Sequence, residues 1–385
     1  MGETQTKKTD RQVFLDVLRV TATLAVVMMH TVSGVLYGFF DMNGYERRIK
    51  AFRAIIDATS WSVPIFLIVS GYLLLNPEKR ITWKDAFLKY CRRIILVLIL
   101  FGIPYAVLEL VGYLHVFEWW MIPRGIKNTA MGRSWSHMWY CYLLLILYAV
   151  TPLLKWILQK IPRAVLYAVM AILALGVSVL PFLEVLFVWP RFLAIPDQGI
   201  YVFYYLCGYV WATSKRGPRK KEGIACLSAF FVILLLEMGS RFIEGYELDM
   251  AYGYPPTLLA ALLLFHACWT FWKPAKIRRD AVAGNDAETG DAAETGDAAD
   301  GASGSKGRKF GAFLLKVVAF VNPFCFGIYL IHPAFLNLFY KILKISIMNF
   351  RFYWGTPLFF CIAFFGAAFS TWVLRLIPPM RKYVL

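Results

Sequence analysis

The chain has 385 residues, of which 59% are hydrophobic and only 17% are charged, and its mean hydropathy is +0.58. Soluble domains contain about 45–50% apolar and about 25% charged residues, so this composition excludes an ordinary soluble protein. The apolar residues lie in blocks of roughly 17 to 25, the length that an α-helix needs to cross a bilayer. We therefore predict an all-α, polytopic integral membrane helix bundle.

The first predicted elements are a cytoplasmic N-terminal tail at residues 1–12 and a spanning helix at 13–36. Basic residues precede the apolar run, as they do in a signal peptide. However, Asp16 and Arg19 interrupt this run, and no small-residue cleavage site follows it. We therefore predict that the first span is not cleaved.

Nine further apolar segments follow, which gives about ten transmembrane helices in one membrane domain. Spans 1 to 8 are predicted within residues 13–272, and spans 9 and 10, with a short cytoplasmic tail, within 311–385. The segments after the first are 60–75, 94–114, 137–157, 164–180, 199–213, 224–239, 255–272, 313–338 and 357–377.

The net charge of +17 results from 41 Lys and Arg against 24 Asp and Glu. In a soluble protein this excess would suggest nucleic-acid binding, but the cytoplasmic loops of membrane proteins are also rich in basic residues. If the N-terminus is cytoplasmic and the spans alternate, 27 of the basic residues lie inside and 12 outside. This asymmetry predicts a multi-pass protein of the cell membrane with both termini cytoplasmic, and it requires no nucleic acid.

The segment 273–310 differs in composition from the spans. Over 280–305 it reads DAVAGNDAETGDAAETGDAADGASGS, a repeat of small and acidic residues that cannot form a buried core. We predict a disordered cytoplasmic linker between spans 8 and 9 that acts as a spacer. Basic clusters flank the acidic run, so weak closure of this loop by charge is the alternative.

Three ionisable residues, Asp16, Arg19 and His30, lie within the first span. The eleven-residue step from Arg19 to His30 is close to three helical turns, so both side chains lie on one face, about 16 Å apart. Asp16 lies three residues before Arg19 and can pair with it. The alternative is that these side chains only reach towards the two membrane interfaces. Ionisable groups inside a membrane are functional candidates, and an imidazole is the usual general base near neutral pH.

Four segments resemble the membrane-bound acyltransferase 3 family, whose hallmark is an Arg, ten mostly apolar residues and a His. Arg19 and His30 match that spacing within LDVLRVTATLAVVMMH. The other three segments resemble the patterns of the second, fourth and ninth spans of the family. They are SVPIFLIVSGYLL (62–74), HMWYCYLLLILYAVTPLL (137–154) and CFGIYLIHP (325–333).

The resemblance implies an enzyme that transfers an acyl group, usually acetyl, from cytoplasmic acyl-CoA to a hydroxyl of an extracytoplasmic glycan or lipid-linked sugar. It implies that His30 is the base or a transient acyl carrier, with Arg19 as its partner and His332 as a second polar group in the ninth span. The chain departs from the family in one place, because Pro104 lies well after the basic pair that opens span 3.

The remaining candidate residues are assigned to the donor or to the acceptor. Cations at the cytoplasmic start of span 3 can bind the phosphates of acyl-CoA, although they also set topology. They are Lys84, Lys89, Arg92 and Arg93. Glu109, His137, Trp139 and also His332 are candidates for acceptor binding. The alternative is that Glu109 and His137 are interfacial residues and that Trp139 belongs to an interfacial aromatic belt.

Two other classes of function are consistent with the sequence. One is an exporter or flippase of a sugar-containing lipid or polysaccharide, with the buried charges along its path. The other is a sensor or assembly subunit of a glycan synthase. No phosphate-binding loop, HExxH zinc helix or GxSxG elbow is present. The seven cysteines have no metal-binding spacing, so we expect free thiols and no metal cofactor. The acceptor and the oligomeric state are left open.

Overall fold

A computed structural model of the chain describes residues 12–36, 45–187, 196, 198–215, 217, 219–243, 251–271 and 303–385. For residues 303–310 and 312 only the backbone is described. The described residues form helices and no strand. The helices are α1 (Val13–Leu36), α2 (Glu46–Leu74), α3 (Trp83–Leu114), α4 (Met121–Ala130), α5 (Ser136–Lys160), α6 (Arg163–Leu186), α7 (Gly199–Ala212), α8 (Lys220–Ser240), α9 (Pro255–Phe271), α10 (Phe313–Ile342), α11 (Phe352–Arg375) and α12 (Pro378–Tyr383).

The predicted all-α polytopic fold is confirmed. Eight of the described helices are long and apolar enough to cross a membrane, namely α1, α2, α3, α5, α6, α8, α10 and α11. Two shorter apolar helices, α7 and α9, coincide with the predicted segments 199–213 and 255–272. All seven cysteines lie within the described ranges and are free thiols.

Several helices begin earlier than the predicted spans. α2 begins at Glu46, with a turn at Ser60 and Trp61 where the prediction placed the start of the span. Similarly, α3 begins at Trp83 instead of residue 94. The cause is the same in both places, because charged residues lower the apolar signal without ending the helix. Hydrophobicity therefore marks the apolar part of a helix and misses its polar extension.

The predicted linker at 273–310 lies mostly outside the described residues. The helical path that continues into α10 begins at Ser303, inside the predicted linker range. Nothing in the described structure bears on the spacer interpretation of the remaining residues.

α1 lies in the interior of the bundle and contacts α2, α9, α10 and α11. In the most apolar window of α1, 61% of the residues are buried, compared with 17% in α8. α2 is also interior and crosses α7 very closely, since a Cβ atom on Gly71 would lie 1.9 Å from the Tyr205 carbonyl oxygen. The polar stripe of α1 is therefore enclosed by other helices.

Besides a short 3₁₀ turn at Asn322–Phe324, α10 departs from regular helix geometry at two later positions. Pro333 has no backbone N–H, so the carbonyl of Tyr329 receives no bond from it. Further on, residues Leu338–Ile342 form a π-helical turn, with the Leu343 amide donating to the Leu338 carbonyl at 2.9 Å. Such π-turns are frequent at functional sites because they change the direction in which side chains point.

Candidate active site

One cavity lies at the end of α1 that carries His30, and we call it the histidine cavity. Its volume is about 260 Å³. The late part of α1, the start of α5 and the late part of α10 supply most of its lining. This lining includes His30, Ser33, His137, Asn337, Lys341 and Lys344.

Three imidazole rings from three helices meet beside this cavity. The ring centroids of His30 and His332 are 5.1 Å apart, and those of His137 and His332 are 6.2 Å apart. His332 is fully buried and His137 is 3% exposed, whereas His30 is half-buried. The fold therefore assembles a group of histidines that are far apart in the sequence.

The hydrogen bonds of His332 assign its tautomer. Its Nδ1 lies 2.9 Å from the Ile328 carbonyl oxygen, and because a carbonyl only accepts, Nδ1 must donate. In the neutral ring, Nε2 then carries the free electron pair. Within the described residues this Nε2 has no hydrogen-bond partner, and neither does Nδ1 or Nε2 of His137. Buried polar atoms are nearly always satisfied, so these nitrogens are suited to a bound substrate or water.

Two tyrosines connect His137 and α10. The Tyr329 hydroxyl donates to the His137 carbonyl oxygen, and the Tyr105 hydroxyl donates to the Leu330 carbonyl oxygen at 2.8 Å. The Tyr105 ring also lies edge-on to the His137 ring, with centroids 4.9 Å apart. These contacts fix the start of α5 against α10.

A third tyrosine connects α10 to α1. The Tyr340 hydroxyl donates to the Thr31 carbonyl oxygen at 2.9 Å. Its ring lies so close to α1 that a Cβ atom on Gly34 would be 2.8 Å from Tyr340 Cε2. A glycine at this position is therefore what allows the π-turn of α10 to approach α1.

A second cavity lies at the opposite end of α1, and we call it the basic cavity. Its volume is about 460 Å³. Four cationic side chains contribute to its lining, together with tyrosines and apolar residues of α2, α3, α5 and α10. The four cations are Arg19, Lys79, Arg93 and Arg375.

Arg19 pairs with Asp16 of α1, which is in turn bound by Asn322 of α10. Its Nη1 lies 3.7 Å from Asp16 Oδ1, the pairing that the three-residue spacing predicts. Asp16 is buried and also accepts a hydrogen bond from Asn322 Nδ2 at 2.7 Å. The carboxylate is therefore placed to fix the guanidinium beside the cavity.

Arg93 and Arg375 bind backbone carbonyls around the same cavity. Arg93 Nε donates to the Val384 carbonyl at 3.0 Å, and its guanidinium lies 5.0 Å from the ring centroid of Phe326. Arg375 Nη1 donates to the Pro323 carbonyl at 2.7 Å. Each guanidinium has five N–H donors, so these contacts orient the two side chains without using all their donors.

A thin layer of rings separates the two cavities. Tyr329 lines the basic cavity, and its ring centroid lies 6.4 Å from that of His332 and 6.0 Å from that of His137. Since His137 lines the histidine cavity, one layer of side chains divides a cationic compartment from a compartment rich in imidazoles.

The family model described as an acyltransferase domain matches residues 12–376, which include every helix from α1 to α11. The chain belongs to the acyltransferase 3 family. Searches of the curated proteins and of the solved structures found no match. The protein is therefore a membrane acyltransferase.

In this acyltransferase, the predicted site residues divide between the cavities and other parts of the fold. His30, His137 and His332 meet at the histidine cavity, while Arg19 and Arg93 line the basic cavity. The predicted residues that line neither cavity are Asp16, Lys84, Lys89, Arg92, Glu109, Trp139 and His332, although the His332 ring lies against the ring of the cavity residue His30.

Three of the predicted residues that line neither cavity make local contacts with aromatic rings. The Arg92 guanidinium lies 5.1 Å from the ring centroid of Tyr383, and Lys89 Nζ lies 5.5 Å from that of Tyr90. Trp139 stacks on Tyr252 with centroids 5.8 Å apart. Each of these three side chains thus packs against a neighbouring aromatic ring.

The sequence analysis did not select several residues of the acyltransferase cavities. They are Lys79, Tyr329, Lys341, Lys344 and Arg375. A sequence signal existed for Tyr329, because it precedes His332 by three residues and so lies on nearly the same face of α10. The others reach the cavities through loops and helix ends, for which periodicity gives no information.

Proposed function

We propose that this acyltransferase moves an acyl group, typically acetyl, from acyl-CoA to a hydroxyl of a glycan or lipid-linked sugar. The observation that carries the proposal is the arrangement of the two cavities, which approach each other from opposite ends of α1 and are divided by Tyr329 and His332. A donor and an acceptor that enter from opposite sides can meet only at this layer.

The basic cavity is the proposed donor site. Acyl-CoA carries phosphates at one end and an extended pantetheine arm with the thioester at the other. Arginine forms forked contacts with phosphate, and Arg93 and Arg375 supply guanidinium groups. The pantetheine arm then runs past Arg19 and the apolar residues of the basic cavity towards the ring layer formed by Tyr329 and His332.

The histidine cavity is the proposed acceptor site, with His30 as the general base. The His30 imidazole removes the proton of the acceptor hydroxyl, and the oxygen attacks the thioester carbonyl carbon. The C–S bond then breaks, and the CoA sulfur takes up the proton from the imidazolium. The products are the acyl ester and free CoA. The His332 ring, whose Nε2 bears the free electron pair, lies with its centroid 5.1 Å from that of the His30 ring.

The proposed orientation places the basic cavity at the cytoplasmic face and the histidine cavity outside. The excess of basic residues in alternate loops supports this orientation. Cysteines substituted for Lys84 and Arg124 test it in intact cells with a membrane-impermeant thiol reagent, on a Cys361→Ser background because Cys361 is exposed. Labelling at position 124 with protection at 84 is expected, and the opposite pattern would overturn the orientation.

The test of the function uses the purified protein with radiolabelled acetyl-CoA and a membrane glycolipid extract. Wild type should transfer the label, and His30→Ala should lower the rate by about 10²- to 10⁴-fold, the usual contribution of general acid or base catalysis. His266→Ala is the matched control, because His266 lies in α9 and lines neither cavity. Equal rates for His30→Ala and wild type would contradict the proposal.

The same assay separates the base from a covalent carrier. Label retained on denatured wild type, but absent from His30→Ala, indicates that His30 carries the acyl group. Movement of unmodified glycolipid across a vesicle membrane, without any acyl transfer, would instead favour the exporter class.

A further inference from the structure

We propose that the acceptor of this acyltransferase carries a negative charge, a carboxylate or a phosphate, close to the hydroxyl that is acylated. This inference rests on the proposed function for the chemistry of the hydroxyl, but the anion site itself is argued from the lining of the histidine cavity. Two lysines, Lys341 and Lys344, contribute to that lining together with His30 and His137.

The π-turn at Leu338–Ile342 carries Lys341 to the cavity. Its Nζ lies 5.0 Å from the centroid of the Trp135 ring, another residue of the lining. This cation–π contact restricts the ammonium group to the cavity wall. Lys341 is half-buried, so its charge is poorly hydrated compared with that of a surface lysine.

Lys344 adopts a left-handed backbone conformation, with φ of 56°. A residue with a side chain is uncommon in this region, where glycine is the usual choice. Such a strained backbone is typically retained at functional positions. The left-handed position is therefore occupied by a lysine, and its side chain lines the histidine cavity.

No carboxylate of the described residues lines the histidine cavity to neutralise these lysines. Glu109 is close enough for its charge to interact with Lys341, but it lies outside the lining, and the two form no ion pair within the described part of the chain. Two cations beside unpartnered, buried imidazole nitrogens suit a ligand with both an anionic group and a hydroxyl.

The size of the cavity limits which part of the acceptor it accommodates. Its volume of about 260 Å³ lies just below the range of about 300–1,000 Å³ that is typical of small-molecule sites. The cavity therefore fits one terminal unit of a glycan better than a long segment of chain. The charge and the reactive hydroxyl must then belong to the same or to adjacent sugar units.

The binding test uses the full-length protein in a zwitterionic detergent free of phospholipid, with reductive methylation of lysines read by mass spectrometry. The probes are a galacturonic acid disaccharide, galactose 1-phosphate and a neutral galactose disaccharide. At about four times its Kd, an anionic probe should slow the labelling of Lys344 about fivefold by mass action. Lys127, an exposed lysine of α4 outside both cavities, serves as the internal control.

The kinetic test uses variants that remove each charge separately. Lys344→Gly suits the left-handed backbone, so it removes the charge without disturbing the fold. We expect Lys344→Gly and Lys341→Gln each to lower kcat/KM for an anionic acceptor about tenfold. Each variant loses a hydrogen bond to a charged group, which contributes more free energy than a hydrogen bond between neutral groups. Lys344→Arg should restore most of the loss, and Lys127→Gln should have no effect.

The outcomes separate the inference from the proposed function. Protection by the uronate alone or by the sugar phosphate alone supports the anion site and identifies its source. Equal protection by the neutral disaccharide, or no protection by any probe, overturns the anionic acceptor even if His30-dependent transfer continues. Protection by an anionic probe together with acyl transfer that does not depend on His30 removes the proposed mechanism and leaves the anion site.

Discussion

The two cavities differ in how far their polar groups are already satisfied. In the basic cavity, Arg19 pairs with Asp16, and Arg93 and Arg375 bind backbone carbonyls. In the histidine cavity, buried nitrogens of His137 and His332 have no hydrogen-bond partner within the described residues. The cations of the basic cavity therefore form a rigid frame. The imidazole nitrogens of the histidine cavity still need hydrogen-bond partners, which a ligand or water can supply. Rigid charges suit binding, whereas unoccupied nitrogens suit proton transfer.

The largest expected effect is on the histidine side. His332→Ala should lower kcat about 100-fold or more, because it removes a base-competent nitrogen from the buried group. The KM for acyl-CoA should stay unchanged, since the basic cavity is left intact. Steady-state kinetics of the purified variant test this, with His266→Ala as the control. A loss below tenfold would assign His332 to packing.

A smaller effect is expected when the basic cavity is altered. Arg93→Gln should raise the KM for acyl-CoA about tenfold with little change in kcat, because ground-state and transition-state binding are lost together. Arg92→Gln is the matched control, since this neighbouring arginine lies outside the cavity. The comparison requires both variants to insert normally, as judged by monodisperse size-exclusion profiles. Equal KM values for the two variants would remove Arg93 from the donor site.

A few-fold effect is expected at the contact between α1 and α10. Gly34→Ala would place a Cβ atom 2.8 Å from the Tyr340 ring, which must move. We expect about a threefold loss in kcat/KM for the acceptor and a lower thermal midpoint, since overpacking usually costs about 1–3 kcal/mol. Gly112→Ala is the control, because its added Cβ would meet no atom within 4 Å. Unchanged kinetics and stability for Gly34→Ala would mean that the Tyr340 ring can move away from the added Cβ atom without a cost in free energy.

The smallest effect is expected from the linker. Replacement of residues 281–302 by a few Gly and Ser should change acyl transfer less than twofold, because a segment of this composition contributes no packing. The replacement ends before Ser303, where the helix leading into α10 begins. A well-expressed variant that lost transfer would contradict the spacer interpretation and indicate a regulatory role.

The helices and the polar stripe of α1 could be predicted because both depend on local periodicity. Apolar runs locate the apolar part of each helix, and the step from Arg19 to His30 fixes two side chains on one face of one helix. The structure encloses this stripe between neighbouring helices. The sequence therefore contained enough information for the fold class and for the α1 part of the site.

The rest of the site depends on contacts between distant parts of the chain. Arg92 and Arg93 are neighbours in the sequence, but successive residues of a helix point about 100° apart, so only one of them lines the cavity. Sequence alone does not show which face of α3 is turned inward. Lys341 and Lys344 depend on a π-turn and a left-handed residue, neither of which has a clear sequence signal.

In the proposed orientation, the layer formed by Tyr329 and His332 would also keep the membrane sealed. A helix bundle hollowed from both ends would conduct ions or protons unless a barrier remained between the two openings. The Tyr329 hydroxyl is tied to the His137 carbonyl oxygen, and His332 is tied to its own helix. These anchors hold the barrier in place between the two compartments. In the proposed reaction, any movement that admits the thioester would therefore have to be brief or leave the passage plugged by the substrate, because an open passage would dissipate the ion gradients across the membrane.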